Sequence, residues 1–108
     1  MSRVQISTLK TQNENQFIEL FVFYSKGGIN YFNYKDEPRG YWLSISPVTI
    51  KNGMKSAMLG DGAKILLETT KRFSKKKLSE LAKTATNHKD YQETLNNLLN
   101  KKELKLVA

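Results

Sequence analysis

The chain of 108 residues contains no cysteine, so it has no disulfide framework and no thiolate metal site. It has one histidine, His88, in a polar stretch where a helix is expected to begin, and one histidine without an evident partner disfavours a catalytic triad. The stretch "GDGAK" (Gly60 to Lys64) lacks the full G-x-x-x-x-G-K-S/T spacing of a phosphate-binding loop. The sequence therefore predicts no catalytic residue, no metal site and no cofactor.

Long apolar runs are also missing. The longest dense one, "FIELFVFY" (Phe17 to Tyr24), has eight residues interrupted by Glu19, whereas a membrane-spanning helix needs about twenty apolar residues. The N-terminal stretch "MSRVQISTLK" lacks the apolar segment of a signal peptide. We expect a soluble cytoplasmic protein that has no membrane partner and forms one domain over residues 1–108.

Acidic residues are few relative to basic ones. The chain has 18 Lys and Arg against 10 Asp and Glu, a formal net charge of +8, and a sequence pI near 9.7. In a small protein this balance favours a polyanionic partner such as RNA or DNA, and the alternative is a charge surplus that serves solubility alone.

The basic residues are densest in "KRFSKKK", which contains Lys71, Arg72, Lys75, Lys76 and Lys77. On a helix, Lys71 and Lys75 would share one side, away from Leu78. Such a stripe can neutralise backbone phosphates and make binding salt-dependent, although a solvated helix face without a partner gives the same pattern.

β-branched and aromatic residues dominate the first half of the chain. Residues 3–59 predict an antiparallel β-meander of about five strands, of which "FIELFVFY" is expected to be covered on both faces. Asn52-Gly53 predicts a two-residue hairpin with a type I′ turn, since both residues tolerate positive φ. Pro47 cannot donate a ladder hydrogen bond, so it predicts a strand edge or a bulge.

Beyond Gly60 the composition changes to Leu, Lys, Glu and Ala with helical spacing. We predict two or three helices within residues 62–101, with Asp61 capping the first and Asn87 capping the last. The last helix carries an apolar stripe of Tyr91, Leu95, Leu98 and Leu99. The predicted fold class is α+β, β-rich over residues 1–60 and helical over residues 61–108, with an open sheet and a small open barrel as alternatives.

The stretch "GGINYFNYKDEPRGYW" (residues 27–42) has five aromatic rings in sixteen residues. Because Leu43 and Ile45 must face the core, Trp42 is predicted to point to the other face, beside small serines. An outward Trp near Lys35 and Arg39 is typical of a base-stacking platform on a sheet. The alternative is that Trp42 packs beneath a helix or in a dimer interface.

The segment "KGGINYFNYKDEPRGYWLSISPV" (Lys26 to Val48) resembles small proteins of plasmids, conjugative elements and phages of low-GC Gram-positive bacteria. Among these are PrgU-like regulators of pheromone-responsive enterococcal plasmids. The resemblance covers about a fifth of the chain and implies a PUA-like, RNA-associated fold that acts on the expression of conjugation genes. It identifies no functional residue.

These observations predict a small basic protein that binds RNA or single-stranded DNA, without catalysis, in a regulatory or accessory role on a mobile element. The predicted contact residues are Tyr31, Tyr34, Lys35, Arg39, Trp42, Lys71, Arg72, Lys75, Lys76 and Lys77. One alternative is a protein-interaction module, a homodimeric adaptor or an inhibitor, that uses the aromatic face as a hot spot. Another is a ribonuclease that needs no histidine and uses groups drawn from Tyr31, Tyr34, Lys35, Arg39 and Tyr41.

Overall fold

An antiparallel sheet forms the frame of the molecule. The computed structural model describes residues 3–30, 34–57 and 61–107. Its elements are β1 (Arg3–Lys10), β2 (Gln16–Ser25), β3 (Gly28–Asn30), β4 (Lys35–Glu37), β5 (Gly40–Lys51), β6 (Met54–Ser56), β7 (Ala63–Thr69), α1 (Lys75–Thr84), a 3₁₀ turn (Ala85–Asn87) and α2 (Tyr91–Lys101).

The main sheet runs β1-β2-β5, and both β6 and β7 pair with the remaining edge of β5. β7 pairs with the stretch from Gly40 to Ile45, and β6 pairs with the stretch from Thr49 to Lys51. β3 and β4 pair with each other and with no other described strand. They form a separate ribbon within the chain segment that connects β2 to β5. The sheet is open and not closed into a barrel, so the predicted α+β class with an open sheet is confirmed.

The helices pack against one face of this sheet, which we call the helix-covered face. Ile18, Leu20 and Val22 of β2 alternate with half-buried residues and are fully buried in one cluster. The same cluster contains Leu43, Ile45 and Ile65 from the sheet and Leu78, Leu95, Leu98 and Leu99 from the helices. Burying each large aliphatic side chain contributes about 1.5–3 kcal/mol, so this face holds the domain together.

The hairpin predicted at Asn52-Gly53 is confirmed. Lys51 pairs with Met54, and the two turn residues have φ of 52° and 76°, the left-handed values that a type I′ turn requires. Pro47 is not at a strand end, because it lies inside β5 opposite Ile18. On the other side of β5 it falls between the stretches paired with β7 and β6, where no described strand requires a donor.

The helix predicted from residue 62 is wrong, because residues 63–69 form β7. Leu and Lys favour a helix by propensity, but Ile65 and Leu67 pack into the core from a strand that pairs with the free edge of β5. Asp61 therefore caps no helix, and its carboxylate lies 2.7 Å from the Lys102 ammonium. The helical part begins at residue 75, well after the predicted boundary at residue 61.

Two helices follow β7, as the sequence predicted for residues 62–101, though with different caps. Ser74 caps α1, since its Oγ accepts a hydrogen bond from the Lys77 backbone N–H at 3.3 Å. Asp90, not Asn87, occupies the N-cap position of α2, and the predicted stripe of Tyr91, Leu95, Leu98 and Leu99 faces the core. None of the described helices is long and apolar enough to cross a membrane.

Candidate nucleic-acid interface

The face of the sheet opposite the helices carries a row of aromatic rings. In the β2–β5 register, Phe17, Phe21 and Phe23 alternate with the buried aliphatic residues of β2 and therefore point away from the helices. All three are half-buried and stand outside the cluster that the helical leucines complete. We call this surface the outer face; its side chains include those of Arg3, Gln5, Phe17, Glu19, Phe21, Phe23, Trp42, Ser44, Lys55 and Lys64.

Cations lie directly over these rings. The Arg3 guanidinium carbon is 4.9 Å from the centroid of Phe21, and the Lys55 ammonium nitrogen is 5.5 Å from that of Phe17. The rings of Phe21 and Phe23 are 5.9 Å apart and inclined by 50°. A sheet face that combines half-buried aromatic rings with cations can stack bases and hold the phosphates between them.

A cavity of about 350 Å³ opens at the Phe17 end of the outer face. Its lining includes Lys10, Thr8 and Asn13, which supply an ammonium, a hydroxyl and an amide beside the ring. The volume lies within the range of small-ligand sites, so this end of the face has room for a group that projects from a bound chain.

Trp42 is on the outer face, as the sequence predicted, but it is not exposed there. Its cross-strand partners are Phe23 on β2 and Leu66 on β7, and only 7% of its surface is accessible. The Lys64 ammonium lies 4.8 Å from the ring centroid. The predicted open platform is therefore wrong, and Trp42 is not part of the core cluster that the helices complete; a dimer interface stays a prediction.

The β3–β4 ribbon is attached to the outer face through Glu37. The Glu37 carboxylate lies 2.5 Å from the Lys64 ammonium and accepts a hydrogen bond from the Asn30 amide at 3.0 Å. Burial acts to raise the pKa of Glu37, but the hydrogen bonds from Lys64 and Asn30 and the charge of Lys64 outweigh it and lower the pKa. Glu37 is therefore a carboxylate that anchors the ribbon beside Trp42.

Two predicted contact residues lie on this ribbon. Tyr34 is 83% exposed and has a left-handed backbone with φ of 55°, and Lys35 is exposed at the start of β4. Ile29 on the neighbouring strand is also largely exposed. Tyr31 lies outside the described residues.

Arg39 belongs to a different cluster, at the end of the sheet where α1 begins. Its Nε donates to the Tyr24 hydroxyl at 2.6 Å, and its carbonyl accepts from the Thr70 N–H at 3.1 Å. Phe73 stacks edge-on against Tyr24 with centroids 5.3 Å apart and remains 38% exposed. We call this surface the basic end; it consists of Arg39, Lys71, Arg72, Phe73, Lys75 and Lys76.

Cations are crowded at the basic end. Lys75, Lys76 and Lys77 occupy the first turn of α1, which has no acidic residue, although the positive end of a helix dipole disfavours cations. Lys77 is paired with Glu68 at 3.0 Å, and this partner raises the pKa of Lys77. The other four cations of "KRFSKKK" are exposed and form no ion pair with described residues. An external anion would relieve their mutual repulsion.

The structure unites some predicted residues and separates others. Arg39 and the "KRFSKKK" run meet through Tyr24, Phe73 and Thr70, a contact that the sequence did not indicate. Lys71 and Arg72 precede α1 and do not form a helical stripe with Lys75, so that prediction is wrong. Tyr34, Arg39 and Trp42 lie on the ribbon, at the basic end and on the outer face, respectively.

The sequence interpretation missed the phenylalanines of β2 and the cations above them. It treated "FIELFVFY" as covered on both faces, whereas one face is half-exposed. Glu19 was the available signal, because it shares its face with Phe17, Phe21 and Phe23 and a charge is rarely buried without a partner. In the structure Glu19 pairs with Lys55 at 3.7 Å.

Comparison of the chain with protein-family models, with curated proteins and with solved structures gave no match in any of the three. The resemblance of residues 26–48 to plasmid and phage proteins therefore stays a prediction, and the geometry of the two surfaces carries the functional argument.

Proposed function

We propose that this protein binds single-stranded nucleic acid, RNA or DNA, on its outer face and basic end, and that it acts by binding and not by catalysis. The observation that carries this proposal is the row of Phe17, Phe21 and Phe23 on a helix-free sheet face, with Arg3 and Lys55 over two of the rings. The resemblance to mobile-element proteins adds a regulatory or accessory role to the proposal.

The geometry suits unpaired bases better than a duplex. Half-exposed rings offer their faces to bases only when those bases are unstacked from a helix, as they are in single strands. Stacking of one base on one aromatic side chain contributes about 1–3 kcal/mol and depends little on sequence. Arg3 and Lys55 are exposed and long enough to leave the rings and pair with phosphates when bases arrive.

The basic end supplies a second group of phosphate contacts. It lies around one end of the sheet from the outer face, because Phe23 and Trp42 are adjacent in register to Tyr24 and Tyr41, which pack on the helix-covered face. Tyr24 holds Arg39, and Tyr41 receives the Ser74 N–H at 2.8 Å just before the lysines of α1. A strand that crosses the outer face would therefore turn around this end of the sheet to reach the basic end.

A protein-interaction module remains the second candidate, and one observation favours it. Ile29 and Tyr34 of the ribbon are 60% and 83% exposed, and large apolar side chains that project from a narrow ribbon can insert into a partner. The ribonuclease alternative loses one of its groups, because Tyr41 is buried and its hydroxyl is bonded to Ser74.

The stacking role of β2 can be tested with Phe21→Leu and Phe23→Leu combined. Leucine keeps an apolar side chain at each position and removes the ring, so we expect affinity for a labelled mixed-sequence single strand to fall about tenfold or more. Fluorescence anisotropy at low salt measures this affinity. With an RNA strand as the probe, gel analysis of the same samples detects cleavage.

Tyr91→Leu is the matched control, since it removes a half-buried ring from α2 on the other side of the sheet and should leave affinity unchanged. Absence of binding by the wild-type protein at low salt would overturn the proposed function and leave the interaction module. Cleavage of the RNA would favour the ribonuclease instead.

A further inference from the structure

Trp42 combines burial with an unused hydrogen-bond donor. It is the single tryptophan of the chain, it is 7% exposed, and its indole Nε1–H is buried without a hydrogen-bond partner among the described residues. Buried donors in native proteins are nearly always paired, so an orphaned one in a candidate binding face requires an explanation. A ligand that supplies the missing hydrogen-bond acceptor would be such an explanation.

One ion pair connects the β3–β4 ribbon to this ring. The Lys64 ammonium lies 4.8 Å from the centroid of Trp42 and is bound at the same time by the Glu37 carboxylate. Asn30, on the other strand of the ribbon, donates to Glu37 and fixes its position. Lys64 is thus held over the tryptophan by an anion of the protein itself.

The ribbon is attached to the main sheet through two junctions and not through pairing with another described strand. β3 and β4 share no ladder with the other strands, and the junctions are at Gly27 and Pro38. Gly27 and Gly28 have φ of 78° and 113°, values that other residues rarely adopt. A Cβ at Gly27 would come within 2.7 Å of the Glu37 carbonyl oxygen, so the junction is both tight and specific to glycine.

We propose that Trp42 is a closed base-binding position, which opens when a phosphate of a bound single strand replaces the Glu37 carboxylate at Lys64. This inference rests on the proposed function. Phosphate and carboxylate are both oxyanions, so Lys64 exchanges one for the other without losing a partner. The released Glu37 is repelled by the polyanion, and the ribbon moves away from the ring.

Opening would extend the stacking row of the outer face. Trp42 is the cross-strand partner of Phe23, whose ring lies 5.9 Å from that of Phe21, so the three rings are consecutive. An indole offers the largest stacking surface, and its Nε1–H can donate to an acceptor of the base or the backbone. Glu37 therefore acts as an internal competitor that lowers affinity in the free protein.

The single tryptophan provides a direct test. We expect an unlabelled mixed-sequence oligonucleotide to quench the Trp42 emission of the wild-type protein at the concentrations where anisotropy reports binding. Glu37→Gln removes the competing charge with little change in shape. It should bind at least threefold more tightly, and its free form should be more readily quenched by acrylamide.

Asp36→Asn is the matched control, because it removes the same charge from the adjacent, exposed position of β4 without touching Lys64. A variant that fails to fold would be identified by circular dichroism, and the wild-type quenching then decides alone. Binding that leaves Trp42 emission unchanged overturns the inference while the proposed function stands. Equal affinity of Glu37→Gln and Asp36→Asn does the same. No binding by the wild-type protein overturns both.

Discussion

The role of an individual side chain depends on which face of the sheet it occupies, because successive residues of a strand point to opposite faces. On β2, Ile18, Leu20 and Val22 build the core, whereas Phe17 and the other phenylalanines, one position away, line the opposite surface. A shift of one residue in register would exchange these two sets, which is why the buried aliphatic side chains also determine where the rings point. The function proposed for the rings therefore depends on residues that no ligand touches.

The ion pair of Glu37, which attaches the ribbon, should make the free energy of unfolding depend on pH. The Glu37 carboxyl has a pKa lowered from the usual 4.5, so its contribution to stability is present above that value and is lost as the pH falls through the folded pKa. We expect the wild-type protein to have a larger free energy of unfolding than Glu37→Gln at about pH 6, and the difference to shrink below pH 4.5.

Urea unfolding followed by far-ultraviolet circular dichroism measures this difference at each pH. Asp36→Asn should show no comparable trend, since Asp36 forms no ion pair with a described residue. A difference between the wild-type protein and Glu37→Gln that is constant with pH would show that the Lys64 contact does not form in solution.

At the level of elements, β7 decides both the shape of the sheet and the start of the helical part. Residues 63–69 supply Ile65 and Leu67 to the core and Leu66 to the side of Trp42, and only a strand can serve both faces at that spacing. With β7 in place, the chain reaches the basic end at Thr70, and Ser74 can begin α1 over the sheet.

The cap of α1 can be tested by Ser74→Ala. The Ser74 hydroxyl satisfies the N–H of Lys77, and loss of such a cap lowers the free energy of unfolding by about 1 kcal/mol. Ser79→Ala is the control, because Ser79 is an exposed residue in the middle of the same helix, where alanine is neutral or slightly stabilising. Chemical denaturation measures both; an equal effect of the two variants would mean that Ser74 is not the cap.

At the scale of the whole molecule, the proposed path of a single strand joins the two candidate surfaces around one end of the sheet. From Phe17 to Phe23 the outer face extends about 20 Å along β2, at roughly 3.3 Å per residue. Arg3 lies opposite Phe23, and from there the path turns around the end of the sheet, where Tyr24 and Tyr41 pack on the helix-covered face, to the basic end. Exposed cations without an ion pair to a described residue include Arg3 on the outer face and Lys71, Arg72, Lys75 and Lys76 at the basic end, which a polyanion on this path could contact.

Salt dependence should distinguish the parts of this path. Each phosphate contact on a single strand contributes about −0.7 to the slope of log affinity against log salt, so Lys75→Ser with Lys76→Ser should make the slope shallower by about 1.4. Phe21→Leu with Phe23→Leu should lower affinity at every salt concentration and leave the slope unchanged. Anisotropy titrations at several salt concentrations measure both quantities.

Lys101→Ser with Lys105→Ser is the charge-matched control, because these lysines are exposed on α2 and on the C-terminal segment that follows it. Their loss should leave the slope unchanged. If it reduced the slope as much as loss of Lys75 and Lys76, net charge and not the basic end would attract the strand.

Local patterns in the sequence predicted a large part of this fold. Alternation of Leu43 and Ile45 with polar neighbours, the Asn52-Gly53 turn and the stripe from Tyr91 to Leu99 each depend on contacts within a few residues, and each is present in the structure. The strand at residues 63–69 was not predictable in this way, because its conformation is imposed by the free edge of β5, which is distant in sequence.

The sequence by itself determined the α+β class, the hairpin, the strongly basic character and the outward direction of Trp42, because composition and side-chain alternation are local properties of the chain. Only the tertiary structure decided that the helices leave the phenylalanines of β2 uncovered, that Arg39 meets the "KRFSKKK" run, and that Glu37 closes Lys64 over Trp42. Each of these results joins segments from different strands and loops, and such juxtapositions arise from the packing of the helices on one face of the sheet.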